Sequence, residues 1–290
     1  MDLAVVANAT VAGLLTGLVY GLSALGLSVI FGVIRIVNFA HGEFMVIGMY
    51  LALVLYRLTG IDPLLAIVPT AIVLFVLGYY VQRWVVSRVS HLPDHFQFML
   101  LAGIAIMIVS AGLLVFGPDA AGVQVPYGLD SYAVGALVID KTRLFAAIAA
   151  VIIAALLLAF FKYSATGRAI RACADNRLGA QVVGLDIDRL YALTFAIGTA
   201  CVGAAGCIIL LIVEVHPYLA PGYTLLAFVI VIVGGMGSHV GALAGGVLIG
   251  LSESLASVWV QPSLKSAFSY ALLILVLLLR PQGLFGRAAR

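Results

Sequence analysis

Between residues 38 and 43 the chain places Asn38, His41, Gly42 and Glu43 in a stretch that is otherwise apolar. Such groups are expensive in hydrocarbon and normally face a bundle interior or a water-filled path. One reading makes them part of a translocation path or gate. The other sets them at the cytoplasmic surface, where Arg35 is also solvated, and needs no further function. A second break, Gly234-Gly235-Met236-Gly237-Ser238-His239, is followed by Gly241, Gly245 and Gly246. Small residues let membrane helices pack closely, which explains the run as packing. Alternatively the helix is interrupted there, and its free amides and carbonyls meet a passing solute, with Gly234, Gly235, Gly237, Ser238 and His239 on the path.

Other polar residues have plainer readings. Glu253 falls within an apolar stretch and is expected to bond to a neighbouring helix or a second subunit, with solute contact as the alternative. Glu214, His216 and Pro217 read as a polar helix end. His91 and His95 have no third ligand in view, so no metal site is expected. Cys173, Cys201 and Cys207 form neither a CxxC nor a His-paired pattern, so no disulfide framework is implied, and Cys201 and Cys207, in an apolar segment, read as buried free thiols. A phosphate-binding loop needs Gly-Lys-Ser/Thr. Lys141-Thr142 and Lys265-Ser266 follow Asp140 and Leu264, so neither fits. No GxSxG or HExxH occurs, and no enzyme activity is expected.

The elements that position these residues are membrane helices. The 290 residues are 64% hydrophobic and 9% charged, with a mean hydropathy of +1.22, whereas a soluble domain carries roughly a quarter charged residues. The net charge of +3 is small and says nothing about nucleic acid, and no nucleic-acid partner is expected. Residues 1–8 lack the basic start of a cleavable signal, so the first apolar stretch is expected to remain as a span. About 20 apolar residues cross the hydrocarbon. Candidate spans are 9–31, 36–56, 64–82, 98–117, 144–161, 190–213, 223–235, 239–258 and 262–279. The seventh is short enough to be a half-helix or re-entrant piece. The fold class is therefore all-α: a single polytopic transmembrane domain over residues 1–290, with eight or nine spans and interrupted helices.

Orientation follows from the Lys and Arg residues. With nine crossings and the N-terminus outside, the cytoplasmic ends hold 11 of the 15 basic residues and the outside holds Arg57, Lys141, Arg143 and Lys265. The N-terminus is thus expected in the periplasm and the C-terminus in the cytoplasm. Residues 118–142 form an outside loop with a β-like run at 134–139. Residues 162–189 form the main cytoplasmic loop, with five basic residues and three aspartates. Residues 28–48 and 228–250 echo each other, each an apolar run broken by a Gly- and His-containing polar segment. Paired breaks of this kind point to a transporter's central site.

Four stretches carry a family resemblance: Gly32-Val33-Ile34 through Asn38-Phe39-Ala40-His41-Gly42-Glu43 to Gly48-Met49-Tyr50; Thr166-Gly167-Arg168-Ala169-Ile170-Arg171-Ala172 with Asp175-Asn176, Ala180 and Gly184-Leu185-Asp186; Gly234-Gly235-Met236-Gly237-Ser238; and Arg280-Pro281-Gln282-Gly283-Leu284-Phe285-Gly286. In this order they resemble the permease subunits of branched-chain amino acid ABC transporters of the LivH type. Met49 stands where that family more often has a small residue, and the bulkier side chain is expected to narrow or reshape the path. The resemblance implies a bacterial inner-membrane subunit that pairs with a second related permease, two cytoplasmic ATPase subunits that hold the ATP and Mg this chain does not bind, and a periplasmic solute-binding protein. It also implies that residues 165–184 form a short helix docking into the ATPase, with Gly167, Arg168, Arg171, Ala172, Asp175, Asn176, Ala180 and Gly184 as the coupling residues. Ala169, Ala172 and Ala180 offer a small-residue surface and Arg168, Arg171 and Arg177 offer charge-assisted contacts. A solvated basic loop is the plainer alternative. Permeases of this family are also associated with urea or short amides and with aromatic or small carboxylic acids. An ion-coupled secondary transporter, with His41, Glu43 and Glu253 as a proton relay, is the rival from another class.

Overall fold

The structure, a computed structural model, describes residues 3–90, 92–261 and 264–286. His91, Arg287 and Arg290, named above or counted among the cytoplasmic charges, lie outside the described residues. The described helices are α1 (Leu3–Ile34), α2 (His41–Thr59), α3 (Ile67–Tyr80), α4 (Asp94–Phe116), α5 (Lys141–Tyr163), α6 (Ala165–Asp175), α7 (Arg177–Val182), α8 (Ile187–Ile209), α9 (Ala220–Gly234), α10 (His239–Trp259) and α11 (Lys265–Leu279), all but the short polar α6 and α7 formed by apolar runs. Several begin where a short polar side chain can hold the first free amides. Asp140, Ser164, Asn176, Asp186 and Ser238 cap α5, α6, α7, α8 and α10 respectively.

Eight helical stretches are long and apolar enough to cross a membrane, and α11 is a shorter apolar helix. The seventh is longer than the sequence suggested. Pro217 opens a 3-10 turn (Pro217–Leu219) that runs into α9 and brings the stretch to 18 residues. At 1.5 Å per residue that is roughly 27 Å, close to the hydrocarbon thickness. It is a full traverse rather than a half-helix.

Contacts between elements place the first and last described residues at opposite ends of the bundle. Asn8, on α1, bonds to Ala136 and Val138 in an antiparallel hairpin of β1 (Ser131–Val134) and β2 (Leu137–Asp140). The start of α1 therefore lies at the hairpin end. The last described residues lie at the opposite end, because the Leu284 and Phe285 amides donate to Val233 and Gly234 at the close of α9, at 2.9 and 3.0 Å. α10 starts there and leaves for the hairpin end, so α11 and the tail must carry the chain back. α6 and α7 lie at this second end, between α5 and α8.

α1 is the central element, packed against α5, α8, α9 and α10. Its small residues Gly13, Gly17 and Gly21 recur every fourth position on one face, which lies against Leu243, Gly246, Gly250 and Ser254 of α10. A Cβ on Gly17 would lie 2.8 Å from the Gly246 carbonyl. Lipid tails are as apolar as the helices, so close backbone contact of this kind supplies much of the association. The same device joins α8 to α2 through Gly203 and Gly48, and to α3 through Gly78 and Thr199.

Candidate functional site

α1 ends at Ile34 and α2 starts at His41, and the link between them is extended rather than a tight turn. Arg35 adopts φ 60° and breaks the helix. The chain then turns back into the bundle: Ile36, Asn38 and Ala40 are buried and Phe39 packs on Phe98 and Phe228. His41 Nε2 lies 3.0 Å from the Ser23 carbonyl, eleven residues before the end of α1. Eleven residues of helix rise roughly 16 Å, so α2 begins deep inside the bundle rather than at its surface. The sequence expected a helix from residue 36. The first five residues of that span are instead a re-entrant strap.

The strap and the first turn of α2 form a buried polar cluster. The Ala40 amide donates to Asn38 Oδ1 at 3.1 Å, the Gly42 amide to Thr224 Oγ1 at 2.9 Å, and the Thr224 hydroxyl to Glu43 Oε2 at 3.1 Å. Because His41 Nε2 faces a carbonyl, that nitrogen carries the proton, and in the neutral ring Nδ1 is left as an acceptor. Among the described residues Asn38 Nδ2 and His41 Nδ1 are both buried and have no hydrogen-bond partner. Buried polar groups in native proteins almost always have partners, so these two atoms leave hydrogen-bonding capacity unused beside the strap. Gly42 is what allows the arrangement. A Cβ there would lie 2.6 Å from Thr224 Oγ1 and 2.7 Å from its amide, and would collide with the Ala220 carbonyl. A carboxylate at the first turn of a helix is favourable, and Glu43 supplies one. Thr224 and Ser23 were not singled out by sequence, since a lone hydroxyl in an apolar run carries no distinguishing signal.

The second glycine-rich break is of a different kind. Gly235 (φ 103°) and Gly237 (φ 80°) make a tight turn between α9 and α10 at the α6–α7 end. Gly234 touches Gly241, Gly237 touches Gly32, and Gly235 touches Gly283 and Gly286 of the tail. Ser238 caps α10 by accepting from the Gly241 amide at 3.0 Å, and His239 stacks obliquely near Phe161. The sequence allowed an interrupted helix here. The structure has an inter-helix turn clamped by the arginine-led tail. The two echoing segments therefore differ in geometry, one a re-entry and one a turn. Met49 is also reassigned. It is wholly buried in the apolar core between α2 and α8, so its size is absorbed by packing.

At the α6–α7 end the coupling-loop residues divide. Gly167, Ile170, Cys173 and Ala180 are buried, while Arg168, Arg171, Ala172, Asp175, Asn176 and Gly184 are exposed. A Cβ on Gly167 would lie 2.5 Å from the Phe160 carbonyl and 2.7 Å from Phe161 Cα, so this glycine seats α6 on α5. Ala180 is covered and does not belong to an outer small-residue surface. Instead α7 and its C-terminal edge present Leu178, Val182 and Val183, which are 74%, 87% and 75% exposed. These apolar residues were passed over in the sequence because they are too few to form a period. Arg177 lies over the Tyr191 ring, and burial pushes the Cys173 thiol up, with Arg177 opposing the shift.

At the hairpin end, Tyr127 donates to Asp62 Oδ2 at 2.7 Å. Burial, and then that hydrogen bond, push its hydroxyl well above the usual phenol range. Lys141 pairs with Asp130 at 2.7 Å. Glu253 bonds to a neighbouring helix, as expected: Ser269 of α11 donates to its Oε1 at 2.8 Å.

The family described as "Branched-chain amino acid transport system / permease component" matches residues 9–277. The chain is 34% identical over 289 residues to the high-affinity branched-chain amino acid transport system permease protein LivH of Escherichia coli K12, covering 95% of this chain and 94% of that protein. It is 30% identical over 296 residues to the corresponding protein BraD of Pseudomonas aeruginosa, with the same shares covered. A probable LivH of Methanocaldococcus jannaschii is 28% identical over 287 residues, 91% of this chain and 88% of the relative. No solved structure matches the chain. A family match across nearly the whole bundle, with a third of positions shared with LivH, establishes that this multi-pass helical chain belongs to the family of branched-chain amino acid transport system permease components.

Proposed function

We propose that the chain is one of two related permease subunits of an ATP-driven importer of branched-chain or related amino acids. Its names-bearing relatives are branched-chain amino acid permeases, which supports the substrate class. The basic residues favour an N-terminus in the periplasm and a C-terminus in the cytoplasm of a bacterial inner membrane, since the α6–α7 end carries most of them. In this reading residues 1–290 act as one domain, a solute-binding protein docks at the hairpin end, and two ATPase subunits with ATP and Mg dock on α6 and α7.

The observation that carries the reading is the outer face of α6 and α7. On α6 and α7 the apolar Leu178, Val182 and Val183 and the basic Arg168 and Arg171 are exposed, while Gly167 seats α6 on α5 and both helices pack against α8. An apolar knob with a basic rim fits a groove in a soluble partner, and a rigid underside passes movement to the bundle. Solute then crosses between the permeases near the strap, where Asn38, His41, Gly42 and Glu43 meet α9. The turn at Gly234–His239 serves to hold the tail rather than to touch solute.

Uptake of labelled leucine into proteoliposomes tests the reading. With the second permease, the ATPase pair and the binding protein present, ATP should drive uptake. Transport by this chain alone under a proton gradient would overturn it in favour of an ion-coupled carrier.

A further inference from the structure

Toward the hairpin end a cavity of about 330 Å³ lies among α1, α5, α10, α11 and the segment that follows α8. It is lined by Tyr20, Arg143, Ile212, Val213, Glu253 and Lys265, among others. We infer that this cavity is an outer binding site for a zwitterionic α-amino acid, with Glu253 receiving the ammonium group and Arg143 and Lys265 receiving the carboxylate. The inference rests on the permease reading and gives it a solute site.

Charge is the first support. Glu253 is 7% exposed, and the groups that reach its carboxyl among the described residues are neutral hydroxyls, Ser269 donating at 2.8 Å and Tyr20 lying within hydrogen-bonding range. A carboxylate buried among helices without a cation is costly, and an ionisable residue at such a place is by default functional. No ion pair involves Glu253 among the described residues. The cations on the same cavity are not engaged with it either. Arg143 makes only a loose 3.9 Å approach to Asp140, leaving its planar fork available for a carboxylate. Lys265 is exposed at the start of α11. One buried negative group and two positive groups, contributed by three different helices, match the two ends of an amino acid.

Size and position agree. The volume is near the low end of the roughly 300–1,000 Å³ found for small-molecule sites, which suits a single amino acid. Ile212 and Val213 offer apolar surface for its side chain. Tyr20 continues the route inward. Its ring meets Tyr223 edge-to-face at 6.5 Å and 75°, and the next residue, Thr224, holds Gly42 and Glu43 at the start of α2. One aromatic pair thus separates the cavity from the buried strap. The same ammonium-and-anion chemistry occurs in a phosphatidylethanolamine headgroup, so the experiment must separate the two sources.

The test uses the full complex with its partner permease and ATPase subunits, in phosphatidylcholine nanodiscs without binding protein, titrated with L-leucine, N-acetyl-leucine and leucinamide. L-leucine should bind at least about tenfold tighter than either capped form, the expectation when one charged partner is removed. Glu253→Gln, which keeps an acceptor for Ser269, should remove the preference over N-acetyl-leucine. Arg143→Gln should reduce the preference over leucinamide. If Glu253→Gln does not assemble, Arg143→Gln and Lys265→Gln carry the test from the cavity rim. Equal binding of all three probes, no binding of leucine, or unchanged affinities in the variants overturns the inference. Loss of leucine binding when phosphatidylethanolamine is added also overturns it, assigning the cavity to lipid. ATP-driven uptake by the wild-type complex with its binding protein is measured in parallel. Its absence sinks the permease reading, whereas its presence alongside unaffected variants sinks only the cavity.

Discussion

Gly42→Ala separates a strap held by close contact from one merely tolerated by the bundle. Taken alone the substitution favours folding. Alanine has the better helix propensity and restricts the unfolded chain, together about 0.5–1 kcal/mol. The structure opposes it. The new Cβ would lie 2.6 Å from Thr224 Oγ1 and 2.7 Å from the Thr224 amide. These atoms are bonded to the start of α2 and cannot swing away as a flexible side chain would. Overpacking of this kind costs about 1–3 kcal/mol. Displacing Thr224 also breaks its bonds to the Gly42 amide and Glu43, and each buried group left unsatisfied costs about 1–3 kcal/mol. With both bonds lost, the unfavourable side wins by roughly 2–8 kcal/mol on these principles. At about 2–4 °C per kcal/mol, the purified chain should melt several degrees lower, as read by size-exclusion of heated detergent samples. Gly103→Ala is the control, because Gly103 lies within α4 and no atom comes within 4 Å of a Cβ there. It should melt at or slightly above the wild type. Thr224→Val removes the hydroxyl without adding bulk and should lower the midpoint by a smaller amount. If Gly42→Ala is as stable as Gly103→Ala, the inward course of residues 35–40 is wrong.

Three further outcomes are expected. Leu178→Asp with Val182→Asp, and separately Arg171→Glu, should leave insertion and melting intact while uncoupling ATP hydrolysis from uptake. Normal transport by both would remove α6 and α7 from the docking role. Gly283→Ala places a side chain at φ 78° and 2.5 Å from Gly235 Cα. With a left-handed penalty of about 1–2 kcal/mol before any overlap is counted, the tail should come free and become sensitive to protease, and an unchanged digestion pattern would refute the clamp. Cys173 is buried and its thiol is pushed up by burial, so little of it is thiolate near neutral pH. Maleimide labelling at pH 7.5 should be far slower than for a free thiol and should speed up on denaturation, with Cys173→Ser identifying the site. Rapid labelling in the folded complex would show that α6 does not sit on the bundle as described.

Much of the architecture was written in the local chain. Transfer of apolar residues from water is nearly additive along a sequence, so 64% hydrophobic composition and repeated 20-residue runs were enough to specify a helical membrane bundle and its two long loops, but left the number of traverses at eight or nine. The caps at Asp140, Ser164 and Asp186 are equally local. Depth is not. Asn38, His41 and Glu43 could be read as surface or interior residues until the packing of His41 on Ser23 and of Gly42 on Thr224 set them inside. The glycines at 234–237 admitted both an interruption and a turn, and the choice was made by a tail some fifty residues later, through bonds from Leu284 and Phe285. The Glu253 cavity, likewise, brings together side chains from four helices. Which helices touch depends on backbone approach at glycines far apart in sequence, and hydropathy, which weighs residues one at a time, carries no record of those pairings. The chain alone thus determined the solvent each segment prefers, while the assembled bundle decided which polar groups have partners and which are left to meet a solute.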